Sequence, residues 1–261
     1  MRVWAIANQK GGVGKTTSVV TLAGLLADQG KKVLVVDLDP HGSLTSYFGH
    51  NPDALEYSLY HLFFEKRSKN KQFIESVIQP TSLNNVSLIP ATTSLATLER
   101  QISGQEGMGL VLSQTLSQLW NDYDYALLDT PPILGVLLVN AMAASQQMVI
   151  PTQTEHLALK GLERMVHTLK MVMRSQSRKL PYTIVPTLFD RRTLASVSAL
   201  KEMRSLYSDT LWSEVIPVDT KLRDASQLGI FPHELDDQSR GVRAYKHLLE
   251  VLVTQSNTEG V

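Results

Sequence analysis

The stretch "NQKGGVGKTT", residues 8–17, follows a short apolar run, "VWAIA" (3–7), and leads into a helical pattern. Strand, glycine loop and helix in that order form the context in which a phosphate-gripping loop has physical meaning. Gly11, Gly12 and Gly14 let the backbone fold tightly, so that N–H groups from Gly11 through Thr17, Val13 included, point inward at phosphate oxygens. The helix starting near Gly14 adds the positive end of its dipole. Lys15 can reach the β and γ phosphates of a nucleotide, and Thr16 can offer its hydroxyl to Mg²⁺.

Two residues depart from the ordinary pattern, G-x-x-x-x-G-K-[ST]. Gln9 stands where the first glycine belongs, and a second lysine, Lys10, precedes Lys15 by five residues. The phosphates of its own subunit are already served by Lys15. A positive charge on the rim of the loop can instead reach across a symmetric face-to-face dimer and meet the γ-phosphate held by the other subunit. It would then act as an arginine finger does, stabilising charge that spreads over the transferred group. The same residue can equally be a solvated lysine, and these ten positions leave both readings open.

The chain has 261 residues, 43% of them hydrophobic, enough for one sizeable core rather than two small ones. We expect a single domain over residues 1–254, with an irregular polar region at 50–110 and a frayed polar tail at 255–261. Lys plus Arg and Asp plus Glu number 25 each. No global field therefore draws the protein onto nucleic acid or anionic lipid, and such binding needs a local patch. The absence of cysteine excludes disulfides, thiolate zinc sites and iron–sulfur clusters, and it fits a reducing cytosol. The N-terminus runs straight into the glycine loop rather than reading as a signal peptide, and no stretch approaches the ~20 apolar residues that span a bilayer. A soluble cytoplasmic protein is expected.

Further β-branched runs recur at "KVLVVD" (32–37), "YALLD" (125–129), "QMVIP" (147–151) and "YTIVPT" (182–187), with "NVSLIPA" (85–91) as an additional strand. Their apolarity is continuous, not alternating, which fits strands buried on both faces. The expected fold is α/β: a mainly parallel twisted sheet with helices on each side. The first helix should end at Gly30. The charged run "EKRSKNK" (65–71) reads as a solvated face or a partner contact, and Met165, Met171 and Met173 read as core or dimer packing.

Asp37, Asp39 and Asp129 stand at or just beyond strand ends. Ligands gather at the carboxyl ends of strands in an open parallel sheet, so these three should converge on the glycine loop. Hard Mg²⁺ prefers oxygen ligands and keeps several waters, which suits Asp129, in "LLDTPP". Asp39 lies where it could orient an attacking water. The plain alternative is that all three are turn or capping carboxylates before Pro40 and Pro131.

"KGGVGKTT" resembles the deviant Walker A motif of the ParA/MinD family of P-loop ATPases, in which the early lysine is a signature. "VLVVDLDPHGSLT" (33–45) is similar to that family's second motif and "YALLDTPPILGVLLVNAMAAS" (125–145) to its Walker B region. "VIPTQTEHLALKGL" (149–162), "PTLFDRRTLAS" (186–196) and "VIPVDTKLRDASQLGIFPHELDDQSRGVRAY" (215–245) extend the likeness over most of the chain, best in the ParA/Soj branch. "DPHGSLTSYFG" also resembles ParA-like proteins, often called ParC, that place chemotaxis arrays.

The resemblance implies an ATPase using ATP and Mg²⁺, with Lys10 acting in trans in an ATP-induced homodimer. Lys15 and Asp39 would join Lys10 in hydrolysis, while Thr16, Asp37 and Asp129 serve the metal. A partner or cargo adaptor protein would stimulate hydrolysis. The cargo would be a plasmid or chromosome locus, or a polar array, placing the protein at the nucleoid or a pole. The adenine pocket is expected at Pro217 and Asp219. Non-specific DNA binding would use Arg191, Lys221, Arg223 and Arg243. The family's two-arginine turn here reads "IPVDTKL", with Val218 and Lys221 at the arginine positions, which counts against strong DNA affinity. His41 replaces the usual glutamine after "DLDP"; it can exchange hydrogen bonds as glutamine does, or be purely structural. The C-terminal "KHLLEVLVTQSNTEGV" lacks the cationic face of a membrane-docking helix. A metabolic ligase built on the same loop is the competing reading.

Overall fold

Short β-branched runs and longer amphipathic segments alternate along the chain, and the elements follow that alternation. In the computed structural model, which describes residues 1–64, 70–102, 107–175 and 179–258, β1 (Arg2–Ile6) passes through the glycine loop into α1 (Lys15–Asp28) and β2 (Val33–Asp37). Next come α2 (Ser43–Tyr47), α3 (Leu59–Phe64), α4 (Lys71–Val77), β3 (Gln79–Pro80), β4 (Val86–Ile89), α5 (Leu95–Ile102) and α6 (Val111–Gln118). Then β5 (Tyr125–Asp129), α7 (Val136–Ala144), β6 (Gln147–Gln153), α8 (His156–Ser175), β7 (Tyr182–Thr187) and α9 (Leu194–Leu206) complete the alternating part. The chain continues in α10 (Thr220–Leu228), α11 (Pro232–Leu235) and α12 (Arg240–Thr258).

The strands form one sheet in the order β3-β4-β2-β5-β1-β6-β7, parallel throughout except for β3. The two-residue β3 was not expected from the sequence. It contains Pro80, which cannot donate to a ladder and so sits at the sheet edge. The six longer strands are those the apolar runs predict.

Each strand sends alternate side chains to opposite faces, and both faces are covered. Val3, Ala5 and Ala7 point into one core with Leu34, Val36 and Leu128, under α3 to α9. Trp4 and Ile6 point into the other with Val33, Val35 and Leu127, under α1 and α12. α12 buries Val242, Tyr245, Leu248 and Leu252 against that second core, and the Tyr245 hydroxyl meets Ser18 Oγ of α1 at 2.8 Å. The C-terminal helix therefore spends its apolar face inside the protein. It also continues through residues 255–258, expected to fray, while residues 259–261 and residues 65–69 of the charged run lie outside the described residues. No helix among the described residues is long and apolar enough to cross a membrane. Met165 is fully buried and Met173 packs against the core, but Met171 faces outward.

β1, β2 and β5 lie side by side with their carboxyl ends level. In register, Ile6 is beside Asp129, and Asp129 is beside Asp37. The glycine loop emerges directly above this point.

Candidate functional site

α1 begins with Gly14 in a left-handed conformation (φ 92°) and with no side chain capping its first turn. The helix N-terminus is thereby left open to an anion. Gly12 (φ 72°) is likewise left-handed, so a side chain at either position would strain the loop. The loop is braced from below: Thr187 Oγ1, at the end of β7, donates to the Val13 carbonyl at 2.8 Å. Asn8 Nδ2 donates to the Pro151 carbonyl (2.8 Å), while Asn8 Oδ1 accepts the Lys10 N–H (3.0 Å).

Lys15 is 8% exposed, and its Nζ donates to the Lys10 carbonyl at 3.3 Å. Burial lowers the pKa of its ammonium, opposed by the attraction of Asp129 and Asp39. Thr16 Oγ1 donates to Asp129 Oδ2 at 2.6 Å. The other oxygen, Asp129 Oδ1, is buried and has no hydrogen-bond partner among the described residues. Asp37, fully buried beside it, takes the Thr45 N–H (2.8 Å) and hydroxyl (2.7 Å) on Oδ2 and the Asp39 N–H (3.1 Å) on Oδ1.

Burial raises the pKa of both Asp37 and Asp129, and the proximity of Asp37 pushes Asp129 further. Two adjacent buried carboxylates cannot both ionise cheaply beside one lysine, and they give up the second proton readily only when a cation joins them. Among the described residues no group of three or more His, Cys, Asp or Glu is arranged to hold a metal. A cation here would lean on Thr16, Asp129, water and ligand oxygens, which is the habit of Mg²⁺. The residues present fit that ion.

Asp39 stands above this floor. Its Oδ1 accepts both the His41 backbone N–H (3.0 Å) and the ring Nδ1 (2.7 Å). Lys10 lies on the rim, where its ammonium pairs with Glu155 and reaches Gln153 Oε1 at 3.4 Å. The structure therefore brings Lys10, Lys15, Thr16, Asp37, Asp39 and Asp129 to one end of the sheet. The sequence reading missed Glu155, 145 residues from Lys10, and Thr45, which satisfies Asp37. Thr45 was inside the quoted "VLVVDLDPHGSLT"; nothing local marked Glu155.

Pro217 and Asp219 line a cavity of about 370 Å³ with Phe189, Arg191, Arg192 and Arg240. Backbone bonds join the two segments of its wall: Phe189 N–H donates to the Ile216 carbonyl and Val218 N–H to the Phe189 carbonyl, each at 3.1 Å. Both Asp219 oxygens are engaged, Oδ1 with the Lys221 N–H (3.0 Å) and Oδ2 with the Gly241 N–H (2.7 Å). The side chain thus ties α10 to α12, so a ligand here would meet Pro217, the surrounding backbone and the other lining side chains ahead of the Asp219 carboxylate. Asp190 grips Arg192 through two nitrogens, which holds its carboxyl at about 2. Arg191, Lys221, Arg223 and Arg243 are all exposed around this face.

The AAA domain family matches residues 1–182 of the chain. The chain is similar to the sporulation initiation inhibitor protein Soj of Bacillus subtilis, 34% identical over 95% of this chain and 96% of that one. It is also similar to the chromosome-partitioning ATPase Soj of Treponema pallidum, 34% identical over 95% of each. Among solved structures, a cobyrinic acid a,c-diamide synthase of Mycobacterium smegmatis, with bound ATP analogue and magnesium, superposes with a TM-score of 0.84 at 30% identity, covering 99% of this chain and 97% of that one. A plasmid partition protein of Borrelia burgdorferi superposes with a TM-score of 0.73 at 27% identity, covering 97% and 98%.

Proposed function

We propose, on the premise that this chain belongs to the ParA/MinD family of deviant Walker A P-loop ATPases and within it to the ParA/Soj branch, that it is a nucleotide-switched positioning ATPase. The observation that carries this reading is the division of labour between its two lysines. Lys15 is buried among carboxylates in the loop, and Lys10 is held at the rim, pointing away from its own loop toward Glu155.

The glycine loop and the α1 N-terminus bind the phosphates of ATP, with Lys15 balancing their charge. Thr16 and Asp129 hold Mg²⁺, and Asp37 supports them. An Mg²⁺ held there would supply positive charge to the phosphoryl group being transferred. Asp39 orients the attacking water through its Oδ2, which makes no hydrogen bond among the described residues. Adenine enters the cavity beside Pro217.

ATP then closes a face-to-face dimer, in which Lys10 leaves Glu155 for the γ-phosphate of the other subunit. Exposed apolar side chains flanking Lys10 support a mating face there: Ile133, on the loop after β5, is 63% exposed, and Leu157, in the first turn of α8, is 72% exposed. Both positions lie just past β5 and β6, the neighbours of β1 in the sheet. The dimer contacts non-specific DNA through Arg191, Lys221, Arg223 and Arg243, and a partner or cargo adaptor stimulates hydrolysis and release. The cargo is a plasmid or chromosome locus, or a protein array, and the protein works in the cytoplasm at the nucleoid or a pole.

The test is the Asp39→Ala protein. It should bind ATP, accumulate as a dimer by light scattering and hydrolyse on the order of 100-fold more slowly. A monomeric, normally hydrolysing variant would remove the reading. The likeness to the synthase favours a second reading, an amide-forming ligase. ATP turnover without any second substrate counts against it.

A further inference from the structure

We propose that His41 is a positioning residue for Asp39, fixing the carboxylate so that one oxygen is spent on the protein and the other is presented to the attacking water. The inference rests on the role given to Asp39 above.

Both His41 contacts fall on the same oxygen. Asp39 Oδ1 accepts the His41 backbone N–H at 3.0 Å and the ring Nδ1 at 2.7 Å. A carboxylate oxygen accepts, so Nδ1 carries the proton and donates, and Nε2 faces outward. Two bonds from different directions resist rotation of the carboxylate about its own axis. Among the described residues, Oδ2 has no partner.

The turn that brings the pair together is itself fixed. Gly42 N–H donates to the Asp39 carbonyl at 2.8 Å, and Gly42 is left-handed at φ 62°. A Cβ there would stand 2.5 Å from Pro52 Cγ, so the turn is packed from outside and admits only glycine. From inside, the Asp39 N–H is tied to Asp37 Oδ1 at 3.1 Å.

Packing does not explain the histidine. Its side chain is 76% exposed, whereas that of Asp39 is 14% exposed. Removing the imidazole opens no cavity in the core, and the backbone bond to Oδ1 survives any substitution. What the ring alone supplies is the second bond to Asp39.

Asparagine places an amide N–H close to where imidazole places Nδ1–H, which gives a conservative variant. The experiment measures steady-state ATP hydrolysis and nucleotide affinity for the unaltered protein, His41→Ala, His41→Asn and Asp39→Ala. His41→Ala should lower kcat about fivefold, the value of one hydrogen bond, with KM for ATP within about twofold of the original. His41→Asn should recover most of that loss. An unchanged kcat in His41→Ala, a loss that asparagine does not restore, or a change confined to KM would overturn the proposal. Asp39→Ala separates the two levels of failure. If it is inactive while His41→Ala is normal, the site stands and the positioning role falls; if Asp39→Ala hydrolyses normally, the assignment of Asp39 falls with it.

Discussion

The phosphate end of the sheet and the face around α10 lie at the same carboxyl edge, yet they hold charge in opposite ways. At the phosphate end, Lys15, Asp37 and Asp129 are buried, and Asp129 Oδ1 has no partner among the described residues. Around α10, the charged side chains are exposed, and those near the cavity answer one another: Arg192 grips Asp190, and Asp219 caps two helices. Buried carboxylates that resist ionising release their protons to an arriving cation, and a buried lysine at a helix N-terminus suits an anion, because the protein alone leaves their desolvation unbalanced. Exposed charge already solvated or paired gains little from one more contact. The first region is therefore built to be completed by a nucleotide and cation. The second can be altered residue by residue with graded effects, and it is where Val218 and Lys221 depart from the family's arginines.

Substitutions should sharpen that contrast. The largest effect is expected from Lys15→Ala, which removes a buried cation from the loop. ATP affinity should fall roughly 100-fold or more by titration calorimetry; retained affinity would show that the loop does not depend on its buried charge.

Asp129→Asn tests the buried carboxylates themselves. Burial and Asp37 raise the Asp129 pKa to about 8, so the folded protein keeps a proton there that the unfolded chain has lost. Without a cation, stability should fall as pH rises from the ordinary carboxylate range toward 8. The amide cannot ionise, so Asp129→Asn should melt on the order of 3 °C higher than the unaltered protein at pH 8 and flatten the slope, while losing its response to Mg²⁺. A parallel pH dependence in both proteins would contradict this.

Glu155→Gln should act more mildly. The Lys10–Glu155 pair is partly exposed, so its loss is worth no more than about 1 kcal/mol. Freed of its resting partner, Lys10 should favour ATP-dependent dimers up to about fivefold in analytical ultracentrifugation. Weaker dimers would mean that Glu155 aims the lysine instead of detaining it.

The smallest effect belongs to the exposed face. Lys221→Ala should weaken DNA retention uniformly across sequences and reduce the salt slope by about one unit, leaving ATP turnover unchanged. A sequence-dependent loss would remove the electrostatic account of that face.

The sequence was informative wherever the physics is local. The glycine loop, the continuous apolar strands and the aspartates after β2 and β5 are short patterns whose meaning depends on near neighbours. Contacts made by sheet order were not legible. Lys10 meets Glu155 only because β1 and β6 are adjacent, and Asp219 reaches Gly241 only because α10 packs on α12. Pro217 and Asp219 line one cavity, but the two backbone bonds that occupy the Asp219 carboxylate have no sequence signature. β3 escaped notice because two residues at an edge carry no periodicity.

The central claim is that Lys10 serves the neighbouring subunit. Mixing Lys10→Ala with Asp39→Ala tests it most directly, since each protein alone should be inactive. In a mixed dimer the Lys10→Ala subunit keeps its own Asp39 and receives Lys10 from its partner. The account predicts that ATP hydrolysis reappears on mixing, approaching a quarter of the unaltered rate when subunits pair at random, because about half the dimers carry one competent site. Hydrolysis that stays at the sum of the two separate proteins would contradict it.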